Sequence, residues 1–199
     1  MLFRSHPKFT AQRAQQKFAK IERFGEFMPA LRRITNEHIA LDGYPKEKVL
    51  AVMTRLINSL YIRVGTDKSV KQYRTYGITT LGNRHLQIKR GGMLVFEFVG
   101  KSRIKHRKVL VDEELASLLK EIVGIGRGRK LFQYLDADGK AHAVTPSQIN
   151  AYIKSITAPE FSAKDFRTWG ASMLAAHELA EAGICEDEKA ANKTVVRVV

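Results

Sequence analysis

Between His85 and Val111 apolar side chains recur at every second position, whereas on both sides of that stretch they recur at every third or fourth. A strand sends successive residues to opposite faces and a helix brings i, i+3 and i+4 together, so this chain combines a small sheet with a helical remainder. The alternation runs over His85–Arg90, resumes at Met93–Val99 with Leu94, Phe96 and Phe98 on one face, and returns in a third run ending in Val109 and Val111. Gly91-Gly92 separates the first two runs and Gly100–Lys105 the last two, so the spacing predicts a three-stranded antiparallel meander.

Upstream, Phe18, Ile21, Phe24, Phe27, Leu31 and Ile34 predict helix from Phe9 to about Ala40, broken by Pro29 and ended by Asp42-Gly43. Pro45 starts the next helix, through Val49, Val52, Leu56 and Leu60 to about Gly65. Downstream, Asp112 caps a helix through Leu115, Leu118 and Leu119, and Thr145-Pro146 opens one through Ile149, Tyr152, Ile153 and Ile156. A helix over Ala163–Ala182 carries Phe166, Trp169, Met173, Leu174 and His177 on its apolar side, and a last one is expected from about Glu186. Leu131–Leu135 is a short apolar segment and Asp138-Gly139 a turn. The expected class is α+β, a mostly helical domain with a small three-stranded antiparallel sheet.

A chain of 199 residues, 44% hydrophobic and 27% charged, has the material for a real core. It contains no run of roughly 18 apolar residues, the length a membrane-spanning helix needs, and no secretory leader. The single cysteine, Cys185, excludes a disulfide framework and a cysteine zinc site, and reads as a small residue near a helix end. Net charge is +14, and residues 63–130 carry most of it, with 16 basic against 6 acidic residues. Residues 131–199 hold 7 and 9. A basic middle spread over several elements points to a nucleic acid more than to a membrane surface, with a merely solubilising basic surface as the alternative. The glycines of 124–129 lack the preceding strand and following Lys-Ser/Thr of a nucleotide loop.

Three cations stand beside apolar residues: Arg63 where a helix ends in Tyr61-Ile62-Arg63-Val64-Gly65, Lys101 at a hairpin tip in Phe98-Val99-Gly100-Lys101-Ser102, and Arg167 in Lys164-Asp165-Phe166-Arg167-Thr168-Trp169-Gly170. A buried cation needs an anion. Singly, each has an ordinary reading: a solvated helix end, a hairpin lysine, an arginine paired with Asp165. Together, in this order and spacing, and with Tyr76-Gly77-Ile78-Thr79-Thr80-Leu81 and Asn83-Arg84-His85, they resemble the poxvirus and bacterial type IB DNA topoisomerases over almost the whole chain. Arg4-Ser5-His6-Pro7 is similar to the junction that follows the family's N-terminal DNA clamp.

The resemblance implies the catalytic core shared by those enzymes and the tyrosine recombinases, with residues 1–8 a remnant of the junction and 9–199 the catalytic domain. It implies relaxation of supercoiled duplex DNA by a tyrosine that forms a transient 3′-phosphotyrosyl link, with no ATP, metal or other cofactor. Arg63 and Arg167 would clamp the phosphate and Lys101 would be the general acid. Further DNA contacts are expected from Lys68, Lys71, Arg74, Asn83, Arg84, His85, Arg103, Lys105, His106 and Lys164, and from Lys89, Arg90, Arg107 and Lys108. His106 has a strand-edge role as its alternative, and Asn83 and Arg84 a solvated turn. The expected partner is double-stranded DNA, the expected state a monomer, and the setting implied by the resemblance a bacterial cytoplasm.

One departure matters. The family's nucleophilic tyrosine and its partner histidine follow the second arginine, whereas all six tyrosines here, at 44, 61, 73, 76, 134 and 152, precede Arg167. His177 comes too soon for the family pattern. The expectation is therefore a chain that stops before its nucleophile and is inactive alone. A recombinase-like strand transferase and a non-catalytic duplex-binding protein are the competing readings.

Overall fold

The computed structural model describes residues 7–125, 130–183 and 190–191. Helices α1 (Pro7–Glu26), α2 (Met28–Ile39) and α3 (Lys46–Leu60) lead to a short α4 (Asp67–Tyr73). Strands β1 (Leu86–Ile88), β2 (Met93–Val99) and β3 (Lys105–Val111) follow, then α5 (Glu113–Ile125) and a second hairpin, β4 (Gln133–Leu135) and β5 (Ala141–Ala143). Helices α6 (Pro146–Ile156) and α7 (Ala163–Ala182) complete the described elements. The expected α+β class, helical with a three-stranded antiparallel sheet, is what forms, in the order β1-β2-β3.

Helix α3 is the hub. Val49, Leu50, Ala51, Val52, Met53, Leu56 and Ile57 are each at most 2% exposed, so the helix is apolar nearly all round and packs against α2, α5, α6, α7 and both hairpins. Each fully buried Leu or Ile contributes about 1.5–3 kcal/mol. A second knot of core joins α1 to α7, where Phe24 meets Phe161 at 5.2 Å and Phe166 edge-on at 5.0 Å. The sheet's register sets Phe96 against Lys108 and Phe98 against His106, so the apolar face of β2 carries two basic side chains opposite it on β3.

The differences from the spacing argument are local. The α1–α2 break falls at Phe27, and Pro29 sits inside the first turn of α2, where its missing N–H costs nothing. Helix α4 and the β4–β5 hairpin were not anticipated: α4 buries no residue, and three-residue strands show no period. Beyond Gly170 the expected apolar face of α7 is bare, with Met173 53% and Leu174 62% exposed. The N-terminal junction at 1–6, the basic loop at 126–129, Cys185 and most of the helix expected from Glu186 lie outside the described residues.

Candidate phosphate-binding site

Arg63 is placed by the way α3 ends. Tyr61 caps that helix in the left-handed region (φ 54°, ψ 34°), which costs a residue with a Cβ roughly 1–2 kcal/mol. The far end of its ring lies against Gly170 of α7, where a Cβ at 170 would meet it. The end of α3 is thereby fixed to α7 three residues past Arg167. Arg63 then runs along the segment that follows, its carbonyl accepting from Ile78 N–H at 2.8 Å and Val64's from Thr79 N–H at 2.9 Å and from Thr79 Oγ1 at 2.9 Å. Gly65 (φ 83°) and Gly77 pass so closely that a Cβ on Gly77 would strike the Arg63 carbonyl oxygen.

Lys101 is tied to the same segment. Tyr76 N–H donates to the Val99 carbonyl at 2.8 Å, two residues before Lys101, and the turn closes through Gly100 N–H to Ile104 O at 2.8 Å. Ser102 and Arg103 take positive φ (63° and 59°), which folds the turn back sharply and leaves Lys101 exposed beside it. The His106 ring covers Gly100: a Cβ there would stand 2.5 Å from its Cδ2 and Nε2. A chain of main-chain bonds and ring contacts therefore links the neighbourhoods of all three cations.

The electrostatics agree. Arg167 is half-buried, and burial first and the Arg63 guanidinium second lower its affinity for its proton. His106 is held below the ordinary imidazole range by burial, then by Lys108, Arg167 and Arg63. Among the described residues none of Arg63, Lys101, Lys164 and Arg167 forms an ion pair. Arg63 itself is exposed; it and Arg167 repel each other, and neither has a carboxylate partner among the described residues, an arrangement able to accept an anion. Beside Arg63 opens a depression of about 340 Å³ walled by Thr66, Ser69, Thr75, Tyr76 and Asn150. A larger one, about 910 Å³, lies between α2, α3 and α7, but Arg33 there pairs with Glu37, and Arg55 with Glu114 and Asp112. Arg32, which also lines it, forms no ion pair among the described residues, but none of the three expected cations lies there.

The reading of Arg167 as a partner of Asp165 is overturned. The Asp165 carboxylate accepts from Lys20 Nζ at 2.8 Å and from Ser162 N–H at 2.9 Å, anchoring α7 to α1 and capping its first turn. Lys68, Lys71, Arg74, Arg103, Lys105 and Lys164 are exposed. Arg84 is exposed too, with Nη2 donating to Tyr76 Oη at 2.7 Å and its guanidinium over the Tyr76 ring. Two of the expected DNA contacts face inward. His85 is 8% exposed, packs on Tyr76 and takes Gly82 N–H on Nδ1 at 2.8 Å. Asn83 donates from Nδ2 to the Val123 carbonyl at 3.4 Å, with Oδ1 buried. Ligand atoms of His177, Glu178 and Glu181 lie within 4.8 Å of one another on the exposed far part of α7. Tyr61 and Gly170 went unassigned as positioning residues, although a lone glycine inside a helical pattern is a signal of close approach.

No helix among the described residues is long and apolar enough to cross a membrane. Residues 6–198 match the family model described as the catalytic core of eukaryotic DNA topoisomerase I. The chain is 29% identical over 163 residues to DNA topoisomerase 1B of Acanthamoeba polyphaga mimivirus, covering 80% of this chain and 48% of that protein. It is 29% identical to DNA topoisomerase 1 of Daucus carota (80% and 19% covered) and 31% identical over 100 residues to DNA topoisomerase 1B of vaccinia virus (48% and 32%). The chain thus spans about half the length of the first relative and less of the others. These relatives are viral and eukaryotic, which gives the expected bacterial setting no support. Among solved structures, the XerH site-specific recombinase bound to difH substrate is similar with a TM-score of 0.48 and 15% identity, over 75% of this chain and 42% of that one.

Proposed function

The chain belongs to the eukaryotic DNA topoisomerase I catalytic-core family, and from that premise we propose that it grips duplex DNA as a monomer and seats one phosphodiester among Arg63, Lys101 and Arg167. The observation that carries this reading is the unpaired Arg63–Arg167 couple. Two guanidinium forks suit a pentacoordinate phosphorane, because their several N–H donors reach its equatorial oxygens while staying charged. Lys101, on an exposed turn beside them, delivers a proton to the departing 5′-oxygen. A tyrosine attacks in line, a 3′-phosphotyrosyl link holds one strand end while the other swivels, and the 5′-hydroxyl reverses the reaction. The bond energy is kept in the link, so no nucleotide is consumed, and the guanidinium groups supply the charge that a metal would. Lys68, Lys71, Arg74, Arg84, Arg103, Lys105 and Lys164 contact flanking phosphates, which gives affinity without sequence reading. Asn83 and His85 belong to the scaffold.

No tyrosine follows Arg167 in these 199 residues, which favours duplex binding over strand cleavage for this chain alone. Incubating it with negatively supercoiled plasmid in chelator, beside a duplex-binding titration across salt, tests the reading. Salt-dependent binding without relaxation is expected. Relaxation would place the nucleophile among the six tyrosines, and failure to bind duplex would remove the DNA assignment altogether.

A further inference from the structure

His106 has no settled part in the scheme above, and its surroundings are unusual for an imidazole. It stands on β3 directly across from Phe98, ring centroids 5.3 Å apart and planes 35° from parallel. Its Cδ2–Nε2 edge rests on Gly100, the residue before Lys101. Neither ring nitrogen has a hydrogen-bond partner among the described residues, yet the ring is only half-buried. Neither nitrogen is among the buried unpartnered polar atoms, so both are open to an acceptor from outside the protein. The groups that face it share one sign: Lys108 two positions on along its strand, Arg63 from the segment after α3, and Arg167 from α7. Lys101 and Arg103 lie in the adjoining turn, and Lys105 is its chain neighbour. The one carboxylate of the hairpin, Glu97, is one position off the Phe98–His106 pair, so it projects from the other face, where it pairs with Arg107 and takes Gln87 Nε2.

We propose that His106 is a fourth ligand of the phosphate site, neutral in the free protein and protonated when a phosphodiester is seated, so that binding DNA takes up one proton from solvent. The proposal rests on the DNA reading of the Arg63–Lys101–Arg167 site. Burial first, and then these cations, disfavour the imidazolium; a bound phosphodiester adds one negative charge that offsets the cations' part. With their field offset, the imidazolium becomes the favoured form and gains an anionic acceptor for its free N–H. Protonation is then stronger in the complex than in the free protein, so affinity must rise as the pH falls through the interval between the two midpoints. One proton taken up gives at most about tenfold per pH unit.

The test is the dissociation constant of the full chain for a blunt 24-base-pair duplex, measured from pH 8.5 to 5.5 at constant ionic strength, for the native protein and His106→Gln. The amide is uncharged at every pH and is close in size. The native protein is expected to bind about threefold to tenfold more tightly at pH 6 than at pH 8. His106→Gln is expected to lose that gain while keeping the native salt dependence at pH 8. A second reading needs no variant: the His106 ring carbon–proton NMR signal should titrate at higher pH with duplex than without. Equal pH slopes in the two proteins, or an unmoved His106 midpoint, with salt-dependent binding intact, would overturn the proposal and leave the DNA reading standing. Absence of salt-dependent duplex binding in the native protein would overturn both.

Discussion

Gly77 and Gly170 do at single positions what the rest of the core does collectively. At Gly77 the obstacle to a side chain is the Arg63 carbonyl and the Gly65 backbone, neither of which can swing aside. At Gly170 it is the far end of the Tyr61 ring, which is 39% exposed and can swing aside. Gly77→Ala should therefore cost about 1–3 kcal/mol, as overpacking does, whereas Gly170→Ala should cost less while displacing Tyr61 from α7. Chemical denaturation with duplex binding as a second readout checks both. Two imidazoles also set a pH dependence of stability. His85 and His106 are both held below 6.5 in the folded chain, mainly by burial, so the unfolded chain binds more protons below that value. Their contribution to stability is intact above about pH 6.5 and declines as the pH falls. The thermal midpoint should drop between pH 7.5 and 5.5, and His106→Gln should reduce the drop. The three cations were legible residue by residue, because each sits in a distinctive run of neighbours. What joins them was not: hydrogen bonds from Ile78 to Arg63 and from Tyr76 to Val99 are main-chain contacts that leave no mark on residue type.

Among the described residues the long helices were read correctly in kind, though α3 ends at Leu60 and not near Gly65, and of the short elements β1 was anticipated whereas α4, β4 and β5 were missed. Ala163–Ala182 is a helix because Ser162 and Asp165 form a capping box and Phe166 and Trp169 recur at helical spacing. Helix α4 has seven residues, none buried, so no apolar stripe announces it. Asp165 carries more than its cap, since Lys20 ties it to α1. Asp165→Asn keeps one oxygen for the Ser162 N–H and loses the ion pair; Asp165→Ala loses both. The expected ordering in a denaturant series is native, then Asn at a loss of about 1 kcal/mol, then Ala at about 2–3 kcal/mol. Both should weaken duplex binding, because α7 aims Arg167. The exposed Met173 and Leu174 show where helical spacing misleads, since periodicity identifies an apolar face and not whether anything in the chain covers it.

For the whole molecule, the proposed function predicts that the +14 charge and the cations on and around the sheet should make duplex affinity fall steeply with salt, as counterions are released. Total charge alone does not separate that from a generally basic surface. The distinction lies in whether Arg63 and Arg167 act on one bound phosphate, and a double-mutant cycle measures it. Duplex affinity is determined at one salt concentration for the native chain, Arg63→Ala, Arg167→Ala and the double variant. A shared phosphate predicts that the double variant loses less than the sum of the two single losses, with a coupling of about 1–3 kcal/mol. Additivity to within about 0.5 kcal/mol would mean two independent surface cations, and would contradict the existence of a common site.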